Sequence, residues 1–324
     1  MSNDATDIAQ SQLSTRAGHH ARDVPNGRDF RTARDARDAR IVVVPKPLTA
    51  LPSVPEPVGD DPESQAIARR LQIARREHAD TIARIGEALG GDQRSVSWVS
   101  SPTARDLAGA TLVVTIGGDG TFLTVARLLT DTPLFGINSS PSTSTGHYCA
   151  ATAETFAARF EDVLSGAVAP TPLSRIAVSI DDVTHDTAAL NDVLFAHRTP
   201  VASTRYALRV GDTSELQLSS GIWVSTASGS TAAILSAGGT IMDVADPRLQ
   251  YRVREPYALA KIPPTLTNGF VEQIEIVSRS DRNALFLDGH ADPIPVPFGA
   301  RARLQRATLP LDAFLAFRWE RPVC

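Results

Sequence analysis

The residues with the most chemistry to offer are Gly117, Gly118, Asp119 and Gly120, followed by Thr121. Glycines let backbone N–H groups come close to a bound anion, because no side chain stands in the way. A strand before such a turn and a helix after it set a helix N-terminus against a phosphate. Asp119 is the member that needs a reason, since a carboxylate repels a phosphate. It can hold a divalent cation that bridges phosphates, or take a proton from an attacking hydroxyl. Both lead to phosphoryl transfer. The alternative is a plain turn in which Asp119 merely sits near the helix start.

Four other places carry polar groups of interest. Asn138 opens the hydroxyl-rich loop NSSPSTSTG at 138–146, which reads as a turn or as a ligand loop. Asn191 and Asp192 interrupt the apolar run 189–194. Buried, they need either backbone partners or a ligand such as an adenine edge and a ribose diol. Thr226, Ser230, Thr231 and Ala232 belong to a run of small and hydroxyl residues between a strand and a short helix. That run suits an anion or ribose-phosphate, while Ser230 or Thr231 could equally be helix caps. Asp288-Gly289 by itself reads as a hairpin turn.

The elements that must hold these residues follow from periodicity. Leu112 to Ile116 is a continuous run of apolar or β-branched residues, the mark of a buried parallel strand. A helix opens at Thr121, with Phe122, Val125, Ala126 and Leu129 on one face. Ile41 to Val44 and Leu134 to Ile137 read as strands of the same sheet, and Ser95 to Ser100 as a short one. Glu63 to Leu89 is helical, with Ile67, Leu71, Ala74, His78, Ile82, Ile85 and Leu89 at helical spacing; Glu154 to Leu164 is a second amphipathic helix. This alternation predicts an open, mostly parallel α/β domain over residues 40–168. Ligands in such sheets sit at the carboxyl ends of strands, where both the GGDG turn and the 138–146 loop fall.

After Pro170 and Pro172 the texture changes to short alternating runs, at 175–180, 205–210, 215–218, 222–225, 270–277, 284–287, 301–305 and 314–319. They predict a β-rich, sandwich-like domain over 169–324, with a C-terminal segment free to pack back on the first domain. The short helix after the second hydroxyl-rich run is expected to open at Ala232 and close at Gly238-Gly239. Residues 1–39 are polar and end in RTARDARDAR, too poor in apolar groups to bury a core, and are expected to be a disordered tail.

Composition excludes several classes. The chain has 324 residues, 42% hydrophobic and 21% charged, with a net charge of −4. Neither a basic nucleic-acid stripe nor attraction to an anionic membrane follows from that balance. No apolar run reaches the roughly 18 residues of a membrane span. Two cysteines, Cys149 and Cys324, give no disulfide framework, and seven scattered histidines give no metal-ligand spacing. There is no secretory apolar region, and Asp4, Asp7, Asp23 and Asp29 argue against an organellar presequence. A cytoplasmic location is the expectation.

Four features in order, GGDGT at 117–121, Asn191-Asp192, the hydroxyl- and glycine-rich loop at 225–233 and Asp288-Gly289, resemble the NAD kinase family. These are ATP-dependent enzymes that phosphorylate the 2′-hydroxyl of the adenosine ribose of NAD. The likeness covers roughly residues 41–300. The loop GINSSPSTSTGHYCA and Arg254-Glu255-Pro256 look more like the mitochondrial-type branch than the common bacterial one. The resemblance implies Asp119 as general base, with Gly117, Gly118 and Gly120 near the phosphates and Thr121 among the nucleotide-binding residues. It implies Asn191 on the adenine edge, Asp192 on a ribose hydroxyl, and Thr231 and Ala232 lining the adenosine pocket, with Thr226 and Ser230 counted among the nucleotide-binding residues of the same loop. Asn138 matches the Asn at the family's third strand end, and Asp288 takes a supporting role. ATP as donor, NAD(H) as acceptor, Mg²⁺ or another divalent cation carried with the substrate, no protein-held metal, and a homodimer or homotetramer are further implications. Two departures bear on substrate preference: Ala233 stands where an aromatic residue is common, and Ala227 where Pro is usual. A lipid kinase of the same superfamily and a non-catalytic NAD-binding regulator are the alternatives.

Overall fold

A computed structural model describes residues 39–54, 61–91, 94–258 and 262–316. The expected tail lies, but for Ala39, outside them. The first part runs β1 (Arg40–Pro45), α1 (Pro62–Gly90), β2 (Ser95–Trp98), α2 (Ala104–Leu107), β3 (Leu112–Gly117) and α3 (Asp119–Ala126). It continues with β4 (Leu134–Asn138), β5 (Cys149–Thr152), α4 (Phe156–Leu164) and β6 (Thr171–Leu173). The second part holds β7 (Ile176–Ile180), β8 (Val183–Thr184), β9 (Asp192–His197), β10 (Thr204–Val210), β11 (Thr213–Ser219) and β12 (Gly221–Ser225). After α5 (Ala233–Ser236) come β13 (Leu249–Arg254), β14 (Asn268–Val271), β15 (Gln273–Ser278), β16 (Asn283–Leu287), β17 (Ile294–Val296), β18 (Arg301–Arg306) and β19 (Leu311–Phe314).

The first sheet has the order β2-β1-β3-β4-β19-β6, with β5 also on β4. All its pairs are parallel except β19 with β6. Its central strands β1, β3 and β4 are buried almost throughout because helices cover both faces. Ile41 and Val43 of β1 pack toward Ile85 of α1 and Phe160 of α4. Val42 and Val44 pack toward Leu107 of α2 and Phe122 of α3. Asp61 caps α1, its Oδ2 accepting the Ser64 N–H at 2.8 Å, with Pro62 in the first turn. The free edge of β4 is shared: Leu134 and Phe135 pair with β19, and Gly136, Ile137 and Asn138 with β5. The C-terminal strand thus returns to the first sheet.

The two other sheets are antiparallel, β11-β10-β15-β18-β7-β8 and β14-β13-β12-β9-β16-β17. Their inner faces share one core, in which Phe195, Tyr206, Ile222, Ile276, Leu285 and Leu304 meet. This is a sandwich, with the alternation of half-buried strands. Among the described residues no helix is long and apolar enough to cross a membrane.

The structure corrects four boundaries. The helix expected from Thr121 begins at Asp119, because the Gly118 carbonyl already accepts the Thr121 and Phe122 N–H groups. The run 270–277 is two strands in different sheets: Val271 and Ile274 are buried with two exposed residues between them, which breaks the period of two. A 3₁₀ turn at Ser228–Thr231 precedes α5, so helical backbone starts before Ala232. The last strand is Leu311–Phe314 rather than 314–319, whose end lies outside the described residues. Strands β5, β6, β8, β9, β13 and β17 and helix α2 lie outside the expected runs, although Leu249, Tyr251 and Val253 do alternate with polar residues.

Candidate functional site

The glycine turn leaves β3 and enters α3 with Gly118 at the N-cap, so Asp119 lies in the first helical turn. A carboxylate there is stabilised by the helix dipole. Gly117 admits no side chain: a Cβ would lie 2.3 Å from Thr121 Oγ1. Register pairs Gly117 with Asn138, so the ends of β3 and β4 are adjacent. Between them and the end of β1 opens a cavity of about 850 Å³, lined by Gly117, Gly118, Asp119, Gly120 and Thr121 and by Ser139 and Ser144 of the following loop. Ala50, Leu51, Pro52 and Pro102 give the cavity an apolar part of its wall.

The 138–146 loop is stapled in place. Asn138 Nδ2 donates to the Ser144 carbonyl at 2.9 Å, and its Oδ1 accepts the Ser140 N–H at 3.1 Å. The amide of Asn138 therefore shapes the loop. Gly146, at φ +61, leaves no room beside that amide; a Cβ would be 2.4 Å from Nδ2. His78 of α1 is buried and spans two strand ends, with Nδ1 2.7 Å from Ser139 Oγ and Nε2 2.8 Å from the Lys46 carbonyl. Burial holds its pKa below the usual histidine value, with the Lys46 charge adding to the effect and the Lys46 backbone opposing it.

Tyr148, to which the sequence reading assigned no role, joins the two halves of the site. Its backbone N–H donates to Asp119 Oδ1 at 2.8 Å. Its hydroxyl donates to Asn191 Oδ1. Its ring stacks on Phe122 of α3, with centroids 5.0 Å apart and planes at 7°. Burial pushes its phenol far above the usual tyrosine value, so it stays a donor. His147 beside it reaches Thr231, Nε2 lying 3.3 Å from Oγ1. Burial keeps His147 below the usual histidine value, against the opposing pull of Asp119. No local pattern marks these two residues, because their partners are distant in sequence.

Asn191 and Asp192 sit where β9 begins, between the end of β12 and the end of β16. Asp192 pairs in register with Ser225. On the other side the Asp288 N–H donates to the Asp192 carbonyl at 2.9 Å. The Asp288 carboxylate caps the whole segment: Oδ2 accepts the Leu190 N–H at 2.9 Å, and Oδ1 those of Asn191 at 2.7 Å and Asp192 at 3.2 Å. To do so Asp288 adopts φ +51, a region that Asp tolerates better than most residues. Asp192 is 5% exposed, and among the described residues its carboxylate has no hydrogen-bond partner. Burial, with the Asp288 charge behind it, pushes its pKa up to about 7.

The loop after β12 spends most of its hydroxyls internally. Thr226 Oγ1 donates to the Leu190 carbonyl at 2.6 Å and accepts the Gly229 N–H at 3.1 Å. Ser230 Oγ accepts the Met242 N–H at 2.9 Å. Thr226 and Ser230 are fully buried, whereas Thr231 and Ala232 are half-buried. Gly229 packs on Asn191, where a Cβ would be 2.1 Å from the carbonyl oxygen. The structure thus brings Gly117, Gly118, Asp119, Gly120, Thr121 and Asn138 to one cavity wall. It gathers Asn191, Asp192, Thr226, Ser230, Thr231, Ala232 and Asp288 at one end of the sandwich. Tyr148 and His147 connect the two groups. Among the described residues no three His, Cys, Asp or Glu side chains form a metal cage.

Comparison with known proteins gives a consistent result. The family model for the ATP-NAD kinase N-terminal domain matches residues 62–168. A probable NADH kinase of Oryza sativa subsp. japonica is 35% identical over 242 residues, covering 66% of this chain and 74% of the relative. An NADH kinase of Arabidopsis thaliana is 29% identical over 307 residues, covering 86% and 96%. Among solved structures, an NAD kinase from Archaeoglobus fulgidus in complex with ATP superposes with a TM-score of 0.63 at 23% identity, covering 85% of this chain and 93% of that one.

Proposed function

Because the chain belongs to the NAD kinase family, we propose that it transfers the γ-phosphoryl group of ATP to the 2′-hydroxyl of the adenosine ribose of NAD(H), forming NADP(H). One observation carries the assignment of parts: Asp119 lines the cavity while its Oδ1 is held by Tyr148, whose hydroxyl reaches Asn191. The same residue therefore fixes the base and an acceptor-side residue.

In this reading the backbone of Gly117 to Thr121 faces the donor phosphates, and the apolar wall takes the base. Asn191 reads the adenine edge of the acceptor, Asp192 holds a ribose hydroxyl, and Thr231 and Ala232 line the adenosine pocket. The buried Thr226, Ser230 and Asp288 support that pocket through the backbone. The Tyr148 N–H orients the Asp119 carboxylate, which takes the 2′-hydroxyl proton as the new P–O bond forms and the bond from the γ-phosphorus to the departing ADP breaks. A ribose hydroxyl is a much weaker acid than a carboxylic acid, so the transfer comes late. Asp119 is the one Asp or Glu lining the cavity among the described residues. A single carboxylate fits a divalent cation carried mainly on the donor phosphates, and bound there it would neutralise developing charge. We divide the chain into an α/β part over 40–168 and a β part over 169–324, from which β6 and β19 join the sheet of the first part. We also propose a homodimer or homotetramer, as the family resemblance implies, and a cytoplasmic location; light scattering and cell fractionation test these. The lipid-kinase and regulator alternatives draw no support from the relatives.

The test is NADP⁺ formation from ATP, Mg²⁺ and NAD⁺, repeated with NADH, against Asp119→Asn. Loss of a general base costs roughly 10²-fold or more in kcat. Unchanged turnover in the variant would remove Asp119 from the chemistry.

A further inference from the structure

The chain contains 30 arginines but only two lysines, Lys46 and Lys261. Lys261 lies outside the described residues. Lys46 stands in the GGDG cavity and is the one Lys or Arg lining it among the described residues. Its backbone is fixed from two sides. The Lys46 N–H donates to the Ile116 carbonyl at 2.8 Å, and its carbonyl lies 2.8 Å from Nε2 of buried His78. The register Pro45↔Ile116 sets Lys46 abreast of Gly117, at the start of the phosphate turn. The backbone is held while the ammonium is left uncommitted: among the described residues it donates no hydrogen bond and pairs with no carboxylate.

A cation in a cavity that also holds a carboxylate and a glycine turn suits a polyphosphate. In this chain Arg is the rule. Lys offers what Arg does not, a compact point charge that follows several phosphate oxygens without demanding a planar two-pronged contact. We propose that Lys46 is a donor-binding residue that contacts the polyphosphate of the phosphoryl donor, with His78 as the positioning residue that holds it. This inference rests on the kinase reading above and extends it to a residue outside the motifs that led there.

The experiment measures binding and turnover in wild type, Lys46→Met and Lys46→Arg. Calorimetric titration with Mg-ATP, with adenosine and with NAD⁺ separates the three kinds of contact. For Lys46→Met we expect the Mg-ATP Kd and KM to rise about 10- to 100-fold, the range for losing one charge-assisted contact. Adenosine and NAD⁺ affinities should stay within about twofold, because neither the apolar wall nor the Asn191–Asp192 segment is touched. Lys46→Arg should recover part of the loss. The thermal midpoint should be unchanged, since the side chain has no partner to lose. Active wild type with equal Mg-ATP affinity in Lys46→Met would overturn the role of Lys46 and leave the kinase reading standing. Equal losses for adenosine and ATP would show a damaged cavity and also overturn it. Wild type that makes no NADP(H) would instead remove the kinase reading, and the titrations would still report on Lys46.

Discussion

Asp192→Asn should make this protein more stable at alkaline pH while weakening its hold on the acceptor. The carboxylate is 5% exposed, beside Asp288, with its pKa raised from 3.8 to about 7. A carboxyl group whose pKa is higher folded than unfolded binds protons more tightly in the folded state. Stability therefore falls as pH rises between the two values. Integrating that linkage with 1.36 kcal/mol for each pH unit, wild type has lost about 1.7 kcal/mol by pH 5 and a further 2.6 or so by pH 8. An amide does not ionise, so the variant escapes both losses. The assay is urea unfolding of both proteins at pH 5 and pH 8. The advantage of Asp192→Asn over wild type should grow by about 2 to 3 kcal/mol between the two. A difference between the proteins that stays constant within about 0.5 kcal/mol, well under that linkage value, would refute the argument. The same charge should matter for function. If ionised Asp192 accepts from a ribose hydroxyl, the wild-type KM for NAD⁺ falls as pH rises through 7, and the variant shows a raised KM without that dependence.

Other residues give sharper local tests. Tyr148→Phe keeps the ring stack on Phe122 and the N–H to Asp119 but deletes the bond to Asn191. Losing one buried hydrogen bond is worth about 1 to 2 kcal/mol, so kcat/KM for NAD⁺ should fall roughly 5- to 30-fold with the ATP KM unmoved; equal changes for both substrates would contradict the bridging role. Arg175 is buried, and its guanidinium donates to the carbonyls of Leu129, Thr130, Leu309 and Pro310. Arg175→Met strips those carbonyls of donors and should cost about 3 to 5 kcal/mol in urea unfolding, while a cost under 1 kcal/mol would show that the carbonyls find other partners.

Much of the first sheet was legible because its physics is local. A strand buried on both faces must be apolar or β-branched almost throughout, as the buried Leu112–Gly117 is, and a glycine turn into a helix leaves its mark within ten residues. Alternation of the same kind exposed most of the sandwich strands. It failed where the chain crosses from one sheet to the other at Glu272 and Gln273, because apolar letters resume after a two-residue break that does not by itself say the partner sheet has changed. It also failed for β5, whose residues Cys149–Thr152 carry no strand pattern of their own and are ordered by the second half of the β4 edge.

The site divides in the same way. Sequence alone determined that Asp119 stands in a glycine turn between a strand and a helix, that Asn191 and Asp192 interrupt an apolar run, and that the hydroxyl-rich loop ends in a helix. Those are statements about neighbours in the chain. Only the tertiary structure decided that Asp288, 97 residues from Asn191, caps the Asn-Asp segment instead of merely turning a hairpin. It alone revealed Tyr148 holding Asp119 through its backbone and Asn191 through its hydroxyl, and His78 fixing the strand ends around Lys46. Hydrogen-bond partners across such separations are chosen by how sheets and helices pack, and no spacing along the chain records that choice.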